Sequence, residues 1–314
     1  MKTAVVIGSL GQDGRLLKRQ LIGNEYKVIG IDVNHIESSF KAAKRPVDIH
    51  NEREVYELVA SYKPDEIYHL AAVHHSAENK MQTNLDLFQK SFQTNTFSLI
   101  YFLEAMLKGS PQTRLFYAAS SHIFEETNGV DDEGSRINPS SVYGITKAAG
   151  LSICRYYRKE HSLFASCGIL YNHESSLRND NFISKKIIKG AIKIRDRLQD
   201  KIVLGDLSAE ADWGYAPDYV KAMHKILNLD HPDDFIIATG HWHSVSEFAE
   251  AAFKYLGLNW NNYVEENKSI LTKKRVCRVG NPGKLLKNTG WKPSMDFITM
   301  IKVLLEEEGA FIKD

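Results

Sequence analysis

The sequence predicts an α/β fold: a Rossmann-type doubly wound parallel sheet with a smaller, interleaved C-terminal domain. Three observations predict it. Apolar runs of strand length alternate with longer segments of helical period, a glycine turn follows the first run directly, and the alternation is interrupted after residue 170 and resumes with a helix around residue 218. In order, residues 3–7, 27–31, 66–70, 114–118, 164–170 and 235–238 read as buried strands. Between them, residues 16–22, 52–61, 97–107 and 141–160 repeat apolar side chains at three and four, as crossover helices do. Residues 172–181 are polar, residues 182–198 form a basic helical segment, and residues 218–227 return to the helical period. Ser244 and Glu247 have the spacing of a capping box ahead of Phe248, Ala251 and Ala252, so a late helix starts there. Residues 297–305 predict a last helix, and the three glutamates after it, opposed by the helix dipole, are expected to fray. The domain division that follows is 1–171 plus about 212–240, and 172–211 plus 241–314.

With 43% hydrophobic and 25% charged residues the chain is an ordinary globular protein, and a formal charge of +1 gives no attraction to nucleic acid or anionic membrane. Cys154, Cys167 and Cys277 form no C-x-x-C pair and predict neither a disulfide framework nor a metal site. His241 and His243 flank Trp242 without a carboxylate or thiol partner, and predict no metal either. The apolar run 4–7 ends too early for a signal peptide, and no stretch approaches the ~20 apolar residues of a membrane span, so a cytoplasmic location is expected.

Gly8-Ser9-Leu10-Gly11-Gln12-Asp13-Gly14 spaces its glycines as G-x-x-G-x-x-G between a strand and a helix. Positions without side chains let the backbone approach a pyrophosphate, whose charge meets free N–H groups at the helix start. Asp32, ending the second strand, can accept both hydroxyls of an adenosine ribose and would repel a 2′-phosphate, which predicts NAD rather than NADP. Asp48 lies where an adenine amino group could be read, although a loop cap explains it equally. Tyr143 and Lys147, four apart, share one helix face, and Ser120 ends the strand before them. A phenol with pKa near ~10 becomes a proton acceptor only if a nearby cation favours the phenolate, and Lys147 is placed for that role.

These residues resemble the extended short-chain dehydrogenase/reductases acting on nucleotide sugars, and within them the GDP-mannose 4,6-dehydratases. The resemblance runs nearly end to end: the Gly8–Gly14 turn, the run from Pro64 to Ala71, Ser141-Val142-Tyr143-Gly144, Tyr171-Asn172-His173-Glu174-Ser175, Asp212-Trp213-Gly214 and Gly290-Trp291-Lys292-Pro293. It implies an NAD-dependent nucleotide-sugar 4,6-dehydratase acting on a GDP-hexose, with residues 172–211 and 241–314 binding the nucleotide sugar. It implies Ser120, His122, Tyr143 and Lys147 as catalytic residues. The cofactor would meet Gly8, Gly11, Gln12, Asp13, Gly14, Asp32, Asp48, Ile49, Leu70, Ala71, Ala72, Tyr143, Lys147, His173 and Arg178, with Lys147 on the nicotinamide ribose. The substrate would meet Ser121, Asn172, Asn181, Lys185 and Arg275. A homodimer or homotetramer is implied as well.

The departures are informative. Family dehydratases carry Thr-Ser-Glu after this strand, whereas this chain has Ser120-Ser121-His122, so the carboxylate base is replaced by an imidazole. An imidazole near pKa ~6.5 can take a C5 proton and return it to a departing hydroxyl. The same replacement leaves open a C4 dehydrogenase, reductase or epimerase that does not eliminate water. Glu125 and Glu126 are near, but three residues further on they are expected to point elsewhere. The family's arginine before Asp212 is Ala211 and its Arg-Pro stretch is absent, leaving Arg275 or Arg278 to meet a pyrophosphate. His74-His75 follow the third strand, where one of them could line the cofactor site, and Trp291 is expected to pack rather than stack on a ligand.

Overall fold

The computed structural model describes residues 1–33, 35–39, 46–73, 83–127, 129–270 and 277–310. Its main sheet holds β1 (Thr3–Ile7), β2 (Lys27–Asp32), β3 (His35–Ser38), β4 (Glu66–His69), β5 (Arg114–Ser120), β6 (Phe164–Leu170) and β7 (Asp234–Ile237). They lie in the order β7-β6-β5-β4-β1-β2-β3, and only the β2–β3 pair is antiparallel. Ile7 of β1 is paired with Ile31 on one side and His69 on the other. The chain order reverses there, and a reversal of this kind opens a ligand crevice at the strands' C-terminal ends.

Helices α1 (Gln12–Gly23), α2 (Glu52–Tyr62), α3 (Asn84–Phe92), α4 (Ser98–Gly109), α5 (Val142–His161), α6 (Ile183–Arg195), α7 (Ala216–Leu227), α8 (Val245–Tyr255), α9 (Gly283–Thr289) and α10 (Phe297–Glu307) complete the described fold. Leu58 of α2, Phe102 of α4 and Leu151 of α5 pack on one face of the sheet; Leu17 of α1, Met223 of α7 and Leu285 of α9 pack on the other. A further core joins Ile187 of α6, Phe248 of α8 and Met300 of α10. Fully burying such side chains stabilises by roughly 1.5–3 kcal/mol each. Among the described residues no helix is long and apolar enough to cross a membrane. All three cysteines are free thiols.

Local chemistry sets the boundaries. Asn51 caps α2 through the N–H groups of Arg53 and Glu54, and Ser141 caps α5 through the N–H of Gly144 at 3.1 Å. The expected capping box of Ser244 and Glu247 opens α8. Trp291 is a packing residue, buried with its indole N–H donating to the Asp218 carbonyl at 2.9 Å. The last helix departs from expectation. Its three glutamates do not fray: Glu306 accepts from Tyr255 at 2.8 Å, Glu307 from Tyr215 at 3.1 Å and from the Ser176 N–H at 3.3 Å, and Glu308 pairs with Lys185. These partners outweigh the unfavourable dipole.

Beyond β7, residues Gly129–Asp131 pair in parallel with Arg278–Gly280, and the Glu133 carboxylate accepts the Ile236 N–H at 2.9 Å on the outer edge of the sheet. Between α3 and α4 the helix widens into a π turn, Gln93–Phe97. The extra residue turns Asn95 into the interior.

Candidate active site

The turn after β1 sits at the crevice. Gly8 has φ +85°, and a Cβ there would lie 2.7 Å from the Ala71 N; a Cβ on Gly14 would lie 2.1 Å from the Gly8 carbonyl oxygen. Both positions are forced bare because the turn folds onto the end of β4 and α1 packs onto the turn. Gly11 differs: it is exposed, and a Cβ would meet only the Gly8 oxygen, at 3.3 Å. As the N-cap of α1, Gly11 offers no side-chain hydrogen bond, so the first N–H groups and the positive helix end face that open side. The cradle fits a pyrophosphate.

Asp32 Oδ2 accepts the Leu10 N–H at 2.8 Å and Oδ1 the Val33 N–H at 2.9 Å. Each oxygen keeps a further lone pair, which suits two ribose hydroxyls. Asp48 is exposed before α2 and caps the His50 N–H at 2.9 Å, while Ile49 packs against the sheet. Leu70, Ala71 and Ala72 leave β4 beside the turn, with the Leu70 N–H donating to Ile7 at 3.0 Å. His74 and His75 lie outside the described residues.

Beneath the turn, Asp13 and His173 form a buried pair. His173 Nε2 is 2.9 Å from Asp13 Oδ2 and Nδ1 is 2.7 Å from the Tyr171 carbonyl, while Tyr219 stacks on the ring at 4.5 Å. With both ring nitrogens facing acceptors, the imidazole is held as a cation. Burial opposes that charge, but Asp13 outweighs it and raises the His173 pKa; burial likewise opposes the Asp13 carboxylate, but His173 holds its pKa down. Gln12 Nε2 donates to the His173 carbonyl at 3.0 Å, and its Oε1 accepts from Ser175 at 2.9 Å. The stability from His173 is fully present below its unfolded pKa of about 6.5 and fades as pH rises through its raised folded value. That from Asp13 is present above about 3.9 and is lost as pH falls through its lowered folded value. Asp13→Asn is therefore expected to destabilise by roughly 1.5–3 kcal/mol near pH ~5.5, a gap that narrows as pH rises through the raised His173 pKa in denaturant unfolding followed across pH.

Ser120, His122, Tyr143 and Lys147 are brought together. Ser120 ends β5, its hydroxyl accepts the His122 N–H at 3.3 Å, and it also bonds the Tyr143 phenol. His122 lies exposed on a 3₁₀ turn, Ser121–Ile123, with its ring edge-on to the Tyr143 ring at 5.9 Å. Lys147 is 1% exposed, donates to the Ala118 carbonyl at 2.6 Å, and stands 5.7 Å from the Tyr143 ring centre. Burial pushes Tyr143 up to about 12, while the Ser120 hydroxyl and the Arg178 charge pull against it. Burial also pushes Lys147 down to about 7. Helical spacing fixes which residues meet; it carries no information on how dry the meeting place is.

Arg178 stacks on Phe182 at 3.6 Å and lies 3.3 Å from Glu174, with its charge felt at both Asp13 and Tyr143. Asn172 belongs to a short strand, Asn172–Glu174, paired with Trp213–Tyr215, and Asn181 is exposed. Lys185 is buried, donating to the Ser176 carbonyl at 2.6 Å and paired with Glu308. Arg275 lies outside the described residues; Arg278 is turned to the Ser121 carbonyl. Glu125 and Glu126 are occupied by Asn138 and Ser140. His243 stacks on Phe297 at 3.8 Å. Sequence reasoning missed Asn95, whose amide accepts the Val73 N–H and donates to the Thr146 hydroxyl, both at 2.9 Å, and whose carbonyl accepts from Tyr117 at 2.9 Å. Its signal was polar Gln93-Thr94-Asn95-Thr96 entering an otherwise apolar helix.

Comparison with known proteins places this site in context. The family model of GDP-mannose 4,6 dehydratase matches residues 5–304. GDP-mannose 4,6 dehydratase 2 of Arabidopsis thaliana is 33% identical over 98% of this chain and 87% of its own. The dTDP-glucose 4,6-dehydratase of Bacillus anthracis, solved with NAD, superposes with a TM-score of 0.81 at 16% identity, over 98% of this chain and 97% of that one. RMD from Pseudomonas aeruginosa, solved with NADPH, gives 0.82 at 16%, over 98% and 99%. The two structures share the fold, and the family model and the plant relative carry the assignment: this chain belongs to the GDP-mannose 4,6 dehydratase family.

Proposed function

We propose that this protein is a nucleotide-sugar 4,6-dehydratase in which His122 serves as the acid/base, with a GDP-hexose as substrate and NAD as cofactor. The observation that carries it is the cluster of Ser120, His122 and Tyr143 beside a glycine cradle. The family supports GDP, and the Asp32 carboxylate supports NAD over NADP. The dinucleotide would be held by the Gly8–Gly14 turn, Asp32 and the residues after β4; when bound, it supplies the two-electron acceptor and donor, and in oxidised form a positive charge that lowers the phenol's pKa.

The protein's own residues do the proton work. Ser120 donates to the C4 oxygen, and the Tyr143 oxygen takes the C4 hydroxyl proton as C4 becomes a ketone. That ketone acidifies the C5 proton. His122 removes it and gives a proton to the C6 hydroxyl, which departs as water; the hydride equivalent taken from C4 would then return to C6 of the unsaturated ketone while C5 takes up a proton, which balances the one Tyr143 received from C4. Lys147, 5.7 Å from the Tyr143 ring centre, would favour the phenolate when charged and would bond the nicotinamide ribose.

Incubation with GDP-mannose and NAD tests this. The wild type is expected to yield a product lighter by one water with no net reduced nicotinamide. His122→Ala is expected to cut elimination about 10²-fold or more while reduced nicotinamide builds up, read by absorbance and mass. Stoichiometric reduced nicotinamide from the wild type, without loss of water, would instead establish the second reading, a C4 oxidoreductase, which the exposed imidazole at a carboxylate's position favours.

A further inference from the structure

Arg278 lies more than 150 positions beyond His122 in the chain, yet it touches the turn that carries His122. It opens the strand Arg278–Gly280, which pairs with Gly129–Asp131, and its guanidinium donates to the Ser121 carbonyl with the side chain 13% exposed. The Ser121 carbonyl and the His122 N–H belong to one planar peptide unit. Arg278 holds the oxygen of that unit, and the Ser120 hydroxyl holds its N–H at 3.3 Å. The next peptide is held too. The His122 carbonyl packs on the first turn of α5 so closely that a Cβ on Gly144 would lie 2.3 Å from its oxygen. With the planes on both sides of its Cα fixed, His122 has its Cα–Cβ direction set toward Tyr143, and χ1 and χ2 are all that remain.

The rest of the guanidinium's environment is acidic. Glu126 Oε1 is 3.9 Å away and itself accepts from Ser140, next to the cap of α5. The charge of Arg278 also reaches Asp131, whose carboxylate accepts the Tyr171 hydroxyl at 2.8 Å. One cation from the C-terminal part thus joins the β5 turn, the segment ahead of α5 and the end of β6.

We propose that Arg278 is a positioning residue for the imidazole of His122, a role that rests on the reading of His122 as acid/base. A 1 Å misplacement of a reacting group can cost about 10²-fold. Arg278→Met is therefore expected to slow water elimination about 10- to 100-fold, with the KM for GDP-mannose within about twofold of wild type. C4 oxidation, which depends on Tyr143, is expected to stay within about twofold, and Arg278→Lys, which keeps a cationic donor, to recover most of the loss. Exchange of solvent deuterium into C5 reads the proton transfer itself. In the protein alone, the imidazole NMR signals of His122, assigned with His122→Gln, are expected to move in Arg278→Met and to return toward wild type in Arg278→Lys.

The proposal is overturned if folded Arg278→Met eliminates water at the wild-type rate, if only KM changes, if Lys and Met behave alike, or if the His122 signals do not move. Should Arg278→Met not fold, Arg278→Gln carries the same comparisons. If the wild type eliminates no water at all, the proposed function fails, and the NMR arm still decides the placement of His122.

Discussion

Tyr143→Phe is expected to lower turnover by about 10³-fold without unfolding the protein. The ring would keep its edge-on neighbour His122, and Ser120 would still hold the His122 N–H. What disappears is the oxygen that takes the C4 proton. The loss belongs to the first oxidation, so single-turnover formation of reduced nicotinamide should fall as far as product formation does. His122→Ala should spare that first step, and the two variants together separate proton transfer at C4 from proton transfer at C5. An equal denaturation midpoint for Tyr143→Phe and wild type completes the test, since only a lost reacting group then accounts for the rate.

The second large effect concerns the glycine turn. Gly14→Ala would put its new carbon 2.1 Å from the Gly8 oxygen and 2.7 Å from the Ser9 Cα. Both are backbone atoms of the turn, so α1 must shift away or the turn must open. A destabilisation of about 1–3 kcal/mol and a loss of dinucleotide affinity of about 10²-fold are expected, from denaturant unfolding and calorimetric titration with NAD. Gly11→Ala is the control. Its backbone is extended at φ −67° and the new carbon would press only on the Gly8 oxygen, at 3.3 Å, so stability should change by less than about 1 kcal/mol. Its methyl would nevertheless enter the open side of the cradle, so NAD affinity should still drop. Comparable destabilisation by both variants would show that the turn is constrained by something other than the packing of α1.

Six strands were legible because burial on both sheet faces writes an unbroken apolar run, and each lies within two residues of its expected bounds. The edge strand β3 was not legible, since His35, Ile36, Glu37 and Ser38 are all only half-buried and have no apolar run or alternation to show. The seven-residue α9 escaped for want of length. At the site, the spacing of Tyr143 and Lys147 and their nearness to Ser120 were readable, because one helix turn and one strand end are local facts. The dryness around Lys147, the pairing of Asp13 with His173 and the tethering of the three late glutamates depend on residues far away in the chain, and no local pattern encodes them.

The carboxylate of Glu133 on the Ile236 amide has a consequence for self-association. A bare outermost strand is a template on which a neighbouring molecule can add its own backbone, one rung after another. Here the Glu133 carboxylate already takes up the Ile236 donor on that flank. Extended, fibre-like growth from this side would first have to displace that carboxylate.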